Sequence, residues 1–284
     1  MKTNNTFVGI MAAACISLTA GVALPLIEIF STMLPSELMV VRGAVTIVLI
    51  GLLLRRHIGP PSGPIITFSI IFSLATLALY AGIRAWGPGP TLIILTTTPV
   101  VNIGAKLMRG ERVDKRVYTC LAGLLIGVGI ALNPWQATFN SEGLLLSLAA
   151  TILSGVGYEV LAGQKCINPY NKGFWLAAVT VIIGSIATLA SGQIPFAEES
   201  WSLPYALALV GFGVTGGFAY YMANIVAFEK LPTEVASALA MAETPAVIVG
   251  SWLILDEAMT PIQWGGVAIT LLATGFLMVT EADH

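Results

Sequence analysis

Glu243 is the residue of this sequence best placed to do chemistry. It stands in Met241-Ala242-Glu243-Thr244-Pro245, well inside an apolar run. A carboxyl group at such depth costs several kcal/mol unless it faces a cavity or a partner, roughly the penalty of placing a charge in hydrocarbon. Glu243 either lines a cavity and binds an ammonium group or carries a proton, or it bonds backbone freed by the adjacent proline. A second run, Thr96-Thr97-Thr98-Pro99, has a similar shape, with Thr97 in the place of Glu243. Thr97 and Thr98 are therefore candidate cavity contacts. Pro99 and Pro245 each lie near the middle of an apolar run, where proline removes a hydrogen bond and bends a helix. They read as a pair of hinges or as static kinks. Glu28 and Arg42 read first as a structural ion pair; an outer gate, or a carboxylate-binding role for Arg42, is the alternative. Glu159, beside Tyr158, either lines an inner vestibule or reaches the interface. Tyr80, Tyr158, Tyr220 and Tyr221 would suit stacking against a ring, with Trp86 near one mouth. Asn224 is a further polar contact.

The surroundings of these residues decide what holds them. The chain has 284 residues, 56% hydrophobic, and only 10% charged, with 13 Lys+Arg and 15 Asp+Glu. Soluble domains carry about 25% charged residues. The mean hydropathy of +0.88 agrees with a membrane protein. Ten apolar runs are present: Phe7–Phe30, Leu38–Leu54, Pro64–Ile83, Pro88–Ala105, Val117–Leu132, Gly143–Gly163, Gly173–Ser191, Leu203–Phe228, Val235–Leu255 and Pro261–Thr280. Their length and lack of alternation fit membrane-spanning helices and not barrel strands. The first run is too long for a signal peptide and contains Pro25 and Glu28.

Basic residues set the orientation. With both termini cytoplasmic, the inner segments hold Lys2, Arg55, Arg56, Lys106, Arg109, Arg112, Lys115, Arg116, Lys165, Lys172 and Lys230, which is 11 of the 13 basic residues. Arg84 falls in an outer loop and Arg42 inside a helix. Trp86, Trp135, Trp175, Trp201, Trp252 and Trp264 lie near helix ends, as interfacial rings do.

The sequence also repeats. At a shift of 146, Thr98-Pro99 falls on Thr244-Pro245, Gly104 on Gly250, Glu111 on Glu257 and Gly129 on Gly275, without a gap. At a shift of 134, Gly9 falls on Gly143 and Gly21 on Gly155. The expected architecture is an all-α membrane protein of two five-helix halves, residues 1–137 and 138–284. Five is odd, so the halves are inverted in the membrane. Inverted repeats with a site near the midplane are the usual build of secondary transporters.

These features together resemble the drug/metabolite transporter superfamily, in its ten-helix, EamA-type branch. The likeness spans essentially the whole chain and rests on Thr98-Pro99…Glu111…Gly129 and Thr244-Pro245…Glu257…Gly275. Within the branch the sequence looks most like exporters of aromatic amino acids or related metabolites. The resemblance implies a multi-pass protein of the cell inner membrane that exports amino acids by alternating access. Exporters of other small metabolites or cationic drugs are the alternative. Cys120 departs from the repeat, standing where the second half has Gly266. That implies a looser helix contact in the first half.

Other readings fail on residue types. Gly211-Phe212-Gly213-Val214-Thr215-Gly216 matches a dinucleotide fingerprint but sits inside an apolar helix, so it reads as close helix packing. Gly213/Gly217 and Gly123/Gly127 have the GxxxG spacing of close helix contacts. No Walker lysine is present, so ATP is not hydrolysed by this chain and no ATPase subunit is implied. His57 and His284 are the only histidines, which leaves no metal site, cofactor or enzymatic constellation to expect. A net charge of −2 with no basic patch excludes nucleic acid as a partner. The expected partners are a small-molecule substrate and the lipid bilayer. The odd cysteine count, with Cys15 and Cys120 in apolar runs, argues against a disulfide framework.

Overall fold

The computed structural model describes residues 2–132, 139–164, 167–193, 202–256 and 259–282. Among them the chain is helical, with no strand. The helices are α1 (Lys2–Ile29), α2 (Pro35–Leu54), α3 (Gly63–Trp86), α4 (Pro88–Leu95), α5 (Thr98–Met108), α6 (Lys115–Ala131), α7 (Ser141–Ala162), α8 (Pro169–Ala190), α9 (Leu203–Phe212), α10 (Tyr220–Lys230), α11 (Thr233–Ala240), α12 (Glu243–Leu255) and α13 (Pro261–Ala282). A π-helical segment, Gly213–Ala219, joins α9 to α10. Turn chemistry sets many of the starts. Pro35, Pro88, Pro169 and Pro261 each open a helix, where the missing N–H costs nothing. Asp114 and Asn168 accept from backbone N–H groups two residues on, and Asn140 from one three residues on.

Nine segments among the described residues are long and apolar enough to cross a membrane. Three of them combine pairs of shorter helices: Pro88–Met108, Leu203–Lys230 and Thr233–Leu255. The expected fifth span is α6, which has 17 residues. It rises about 25 Å at 1.5 Å per residue, short of a hydrocarbon core about 30 Å thick. It lies along α13 throughout. Trp135, Trp201, Lys165, Glu257 and His284, and the expected boundary between the halves at 137/138, lie outside the described residues.

At the expected hinges the structure goes further than a kink. The helix stops after Leu95 and resumes at Thr98, with Pro99 in the first turn of α5. It stops again after Ala240 and resumes at Glu243, with Pro245 in the first turn of α12. The hydroxyls of Thr96, Thr97 and Thr98 donate to the carbonyls of Ile93, Ile94 and Leu95 at 2.6–2.7 Å. The threonines thus satisfy acceptors at the first break, which an apolar medium demands.

The main packing partners are α3 with α7, α2 with α8, α6 with α13, and α1 with both α12 and α10. Further contacts join α3 with α8, α2 with the π segment, α7 with α4 and α5, and α5 with α11. Glycines make the tightest crossings. A Cβ on Gly250 would collide with the Gly21 carbonyl, and one on Gly217 would lie 2.6 Å from the Arg42 carbonyl oxygen. Gly213 likewise abuts Val45, and Gly127 abuts Thr270. The GxxxG spacings therefore serve contacts within the chain. Cys120 is buried against α13, its thiol donating to the Ala273 carbonyl at 3.0 Å. Cys15 and Cys120 are free thiols.

The basic ends of the helices converge. Lys106 of α5 pairs with Glu234 of α11 at 2.6 Å, and Arg109 pairs with Glu159 of α7 at 2.8 Å. Lys172 of α8 pairs with Glu229 of α10, and the Trp175 indole donates to the Gly59 carbonyl at 3.0 Å. At the other end Asn140 donates to the Ala85 carbonyl and Thr188 to Ser36, each at 2.8 Å.

Candidate functional site

The two helix breaks and the start of α10, just past the π segment, meet around one central cavity. Its walls come from α2 (Arg42), α3 (Phe72, Thr76), α5 (Thr98, Pro99), α7 (Ser154, Tyr158), α10 (Tyr220) and the second break (Met241, Glu243). The cavity volume is about 50 Å³. A water needs roughly 10–15 Å³ by this measure, so the space holds a few waters in this conformation.

Two opposite charges face the cavity. Glu243 is 8% exposed and Arg42 4% exposed. They form no ion pair with each other. Tyr220 stands between them: its hydroxyl donates to Glu243 Oε2 at 3.4 Å, and its ring centre lies 5.1 Å from the Arg42 guanidinium. Arg42 is ringed by tyrosines. Its Nη1 donates to the Tyr80 hydroxyl at 2.8 Å, and its guanidinium carbon sits 4.3 Å from the Tyr221 ring centre and 6.0 Å from that of Tyr80. Such contacts of a guanidinium with ring faces are attractive, more so when dry. The Nε and Nη2 of Arg42 are buried with no hydrogen-bond partner. A buried, half-satisfied guanidinium is costly. A ligand acceptor in the cavity would complete it.

Aromatic surface frames the rest of the space. The Tyr158 ring stacks on Phe228, 3.8 Å between centres and 8° from parallel, and lies 5.6 Å from Phe72. Tyr221 is fully buried, its hydroxyl 3.2 Å from Thr180 Oγ1.

The sequence candidates divide in the structure. Glu243, Thr98, Pro99 and Tyr158 line the cavity together with Arg42. Thr97 does not; its neighbours Thr96 and Thr98 do. Tyr221 sits behind the wall beneath Arg42, and Tyr220 takes the lining position. Asn224 lies below Tyr220, its amide donating to the Tyr220 carbonyl at 2.9 Å, and does not line the cavity. The expected Glu28–Arg42 pair is replaced: Arg42 makes its contacts with Tyr80, Tyr220 and Tyr221. Arg42 lies seven residues into α2 and turns inward over the rings. Glu28 lines a separate cleft with Ser31, Tyr80 and Arg84. Glu159 is at the basic end, paired with Arg109 in a lateral trough between α5 and α7. Arg109 also bonds Glu111 at 2.6 Å and holds that exposed carboxyl below the usual carboxylate range.

Sequence reading did not single out Phe72, Thr76, Ser154 or Ser237, all of which line the cavity. Phenylalanine and small hydroxyl residues are common in membrane helices, and only the crossing of six chain segments distinguishes these four. No group of three metal-ligating side chains occurs among the described residues.

Residues 141–279 match the EamA-like transporter family. A riboflavin transporter of Rhizobium johnstonii (strain DSM 114642 / LMG 32736 / 3841) is 24% identical over 218 residues, 76% of this chain and 70% of that protein. A solved crystal structure superposes with a TM-score of 0.73 at 16% identity, over 99% of this chain and 100% of the other. That likeness speaks for the fold alone.

Proposed function

We propose that this chain is a transporter of the EamA-like family, which its second half matches, and a secondary carrier that exports amino acids, aromatic and other apolar ones, by alternating access. One observation carries the reading. A buried cation and a buried anion, Arg42 and Glu243, face a single aromatic-walled cavity without pairing. An amino acid is a zwitterion with a ring or apolar side chain. Its carboxylate would complete the open Nε and Nη2 of Arg42, its ammonium would meet Glu243, and its side chain would lie against Phe72 and Tyr158. Arginine suits this role because its planar fork matches a carboxylate.

The architecture that goes with this reading is ten spans in two inverted halves, residues 1–137 and 138–284. The termini and basic ends lie on the cytoplasmic side of the inner membrane. Helix packing supports it. Exchange the halves, so that α1 takes the place of α7, α2 of α8, α3 of α9–α10, α4–α5 of α11–α12 and α6 of α13. The pairs α2–α8, α6–α13 and α5–α11 then map onto themselves, α3–α7 onto α1–α10, and α1–α12 onto the contacts of α7 with α4 and α5. The broken helices at Thr96–Thr97 and Met241–Ala242 correspond in the same way. Discontinuous helices at a midplane site are a recurring transporter device.

A second reading follows from the riboflavin transporter relative: a flavin-like ring would also suit the aromatic walls. A neutral ring system would leave Arg42 and Glu243 without charged counterparts, and this favours the zwitterion. Uptake of labelled substrates into proteoliposomes discriminates. The panel is aromatic, aliphatic and charged amino acids, riboflavin and a cationic dye, with and without a proton gradient. Movement of riboflavin or the dye, with no amino acid moving, would discard the amino-acid reading.

A further inference from the structure

A second cleft lies between the central cavity and the end of the bundle opposite the basic loops. Ile27, Glu28, Ser31, Leu38, Tyr80 and Arg84 are on its walls, and its volume is about 180 Å³. It is thus the roomier of the two spaces. Tyr80 belongs to this cleft, and Arg42 belongs to the central cavity. The hydrogen bond between them, 2.8 Å from Arg42 Nη1 to the Tyr80 hydroxyl, is where the two spaces meet. Depth agrees. Tyr80 is six residues before the end of α3 and Arg42 seven after the start of α2. At 1.5 Å per residue both lie about 10 Å inside the same end. Glu243, near the middle of its broken span, lies deeper.

We propose that the Arg42–Tyr80 bond is the partition between the central cavity and this outer cleft, and that the cleft is a second, outer subsite for a small zwitterion. Three features of the cleft suit such a ligand. It carries a carboxyl group (Glu28), a guanidinium (Arg84) and one ring (Tyr80), the same three chemistries as the central cavity. The Arg84 guanidinium is anchored to the Ser31 carbonyl, which fixes it at the cleft wall. Arg42 has one nitrogen on the tyrosine and two unsatisfied ones. A carboxylate on the open Nε and Nη2 draws the guanidinium toward itself and shares its charge, which weakens the bond from Nη1 to the Tyr80 hydroxyl. The weakened bond frees the ring to swing aside while Arg42 stays bonded to the ligand. Ligand arrival at Arg42 would in this way open the partition. The subsite rests on the zwitterion reading of the central cavity; the partition does not.

The test uses the full chain with its native cysteines replaced by alanine and one new cysteine at a time. Ala75→Cys reports on the central cavity and Ile83→Cys on the outer cleft, and a membrane-impermeant maleimide is applied to the outer face of intact cells. Ile83→Cys should label readily and Ala75→Cys slowly. Adding Tyr80→Phe, which keeps the ring and removes the acceptor, should speed labelling of Ala75→Cys tenfold or more, since a hydrogen bond to a charged group is worth about a factor of ten in an equilibrium constant or more. An unchanged rate overturns the partition, and it does so whatever the substrate is. L-phenylalanine at saturating concentration should slow labelling of Ile83→Cys at least about tenfold, the effect of concentrations well above Kd. Absence of protection by phenylalanine, where proteoliposomes do transport it, overturns the outer subsite. Absence of transport of every amino acid on the panel, with the Ala75→Cys difference intact, overturns the amino-acid reading, and the outer subsite with it, and leaves the partition standing.

Discussion

Tyr220 donates its hydroxyl to Glu243 Oε2 at 3.4 Å while its ring lies 5.1 Å from the guanidinium of Arg42. One side chain thus touches both charges of the central cavity and keeps them apart. Glu243→Gln keeps the shape and removes the negative charge. We predict that it lowers amino-acid flux by at least about a hundredfold, the scale of losing a buried charged partner worth about 3 kcal/mol. Tyr220→Phe, which deletes only a long hydrogen bond, should lose less than tenfold. Proteoliposome uptake measures both. Equal losses in the two variants would mean that Glu243 acts through Tyr220 and not on the substrate.

Arg42 should decide whether the substrate needs a carboxylate. The wild-type protein should prefer an amino acid over its amide. Arg42→Gln should erase that preference while reducing flux of both. A competition assay of phenylalanine against phenylalanine amide reads it directly. Preserved discrimination in the variant would remove Arg42 from carboxylate recognition.

The prolines stand at true helix ends, so their replacement offers the chain a continuous helix. Pro99→Ala and Pro245→Ala each add one backbone donor at a break. Both variants should fold, and both should slow flux at saturating substrate with little change in apparent affinity. Wild-type flux in both would sink the hinge role.

Gly104 and Gly250 are partners in the sequence repeat, yet their surroundings differ. Nothing lies within 4 Å of a Cβ built on Gly104, whereas one on Gly250 would strike the Gly21 carbonyl. Gly250→Ala should therefore cost about 1–3 kcal/mol, the usual scale of overpacking. Gly104→Ala should be neutral or stabilising, since alanine is the better helix former. Thermal unfolding in detergent checks the contrast, and similar Tm values for the two variants would contradict it.

Glu111, exposed beside Arg109, has a depressed pKa. A carboxyl held below its unfolded value adds stability above that value and loses it as the pH falls through the folded one. The acid limb of stability should accordingly be shallower in Glu111→Gln, and 1 M salt should shrink the difference because the pair is screened. Scans of Tm from neutral pH down through the carboxylate range test this. Identical acid limbs would mean that the pair contributes nothing.

Composition and basic-residue placement sufficed to read a helical membrane bundle, because hydrocarbon leaves a chain few other ways to satisfy its backbone. Glu243 was legible for the same reason: a lone carboxyl deep in an apolar run needs a cause. The partner of Arg42 was not legible. Sequence reading looks for an opposite charge, and the structure supplies rings and a hydroxyl, which are common residues with no tell-tale spacing. Thr97 illustrates a different limit. The motif pointed to the right break, but which of three consecutive threonines faces inward depends on helix rotation, and a break resets that rotation.

The π segment Gly213–Ala219 sets the rotation of everything that follows it. π turns are rare within α-helices and often stand at functional sites. One residue of 3.6 per turn spans about 100°, and Tyr220 is the first residue beyond the segment. With α9 kept in place, removing one residue from the segment would turn Tyr220 away from Glu243 and strip the cavity of its ring over Arg42. The range of substrates is in this way tied to the length of a segment that does not itself line the cavity.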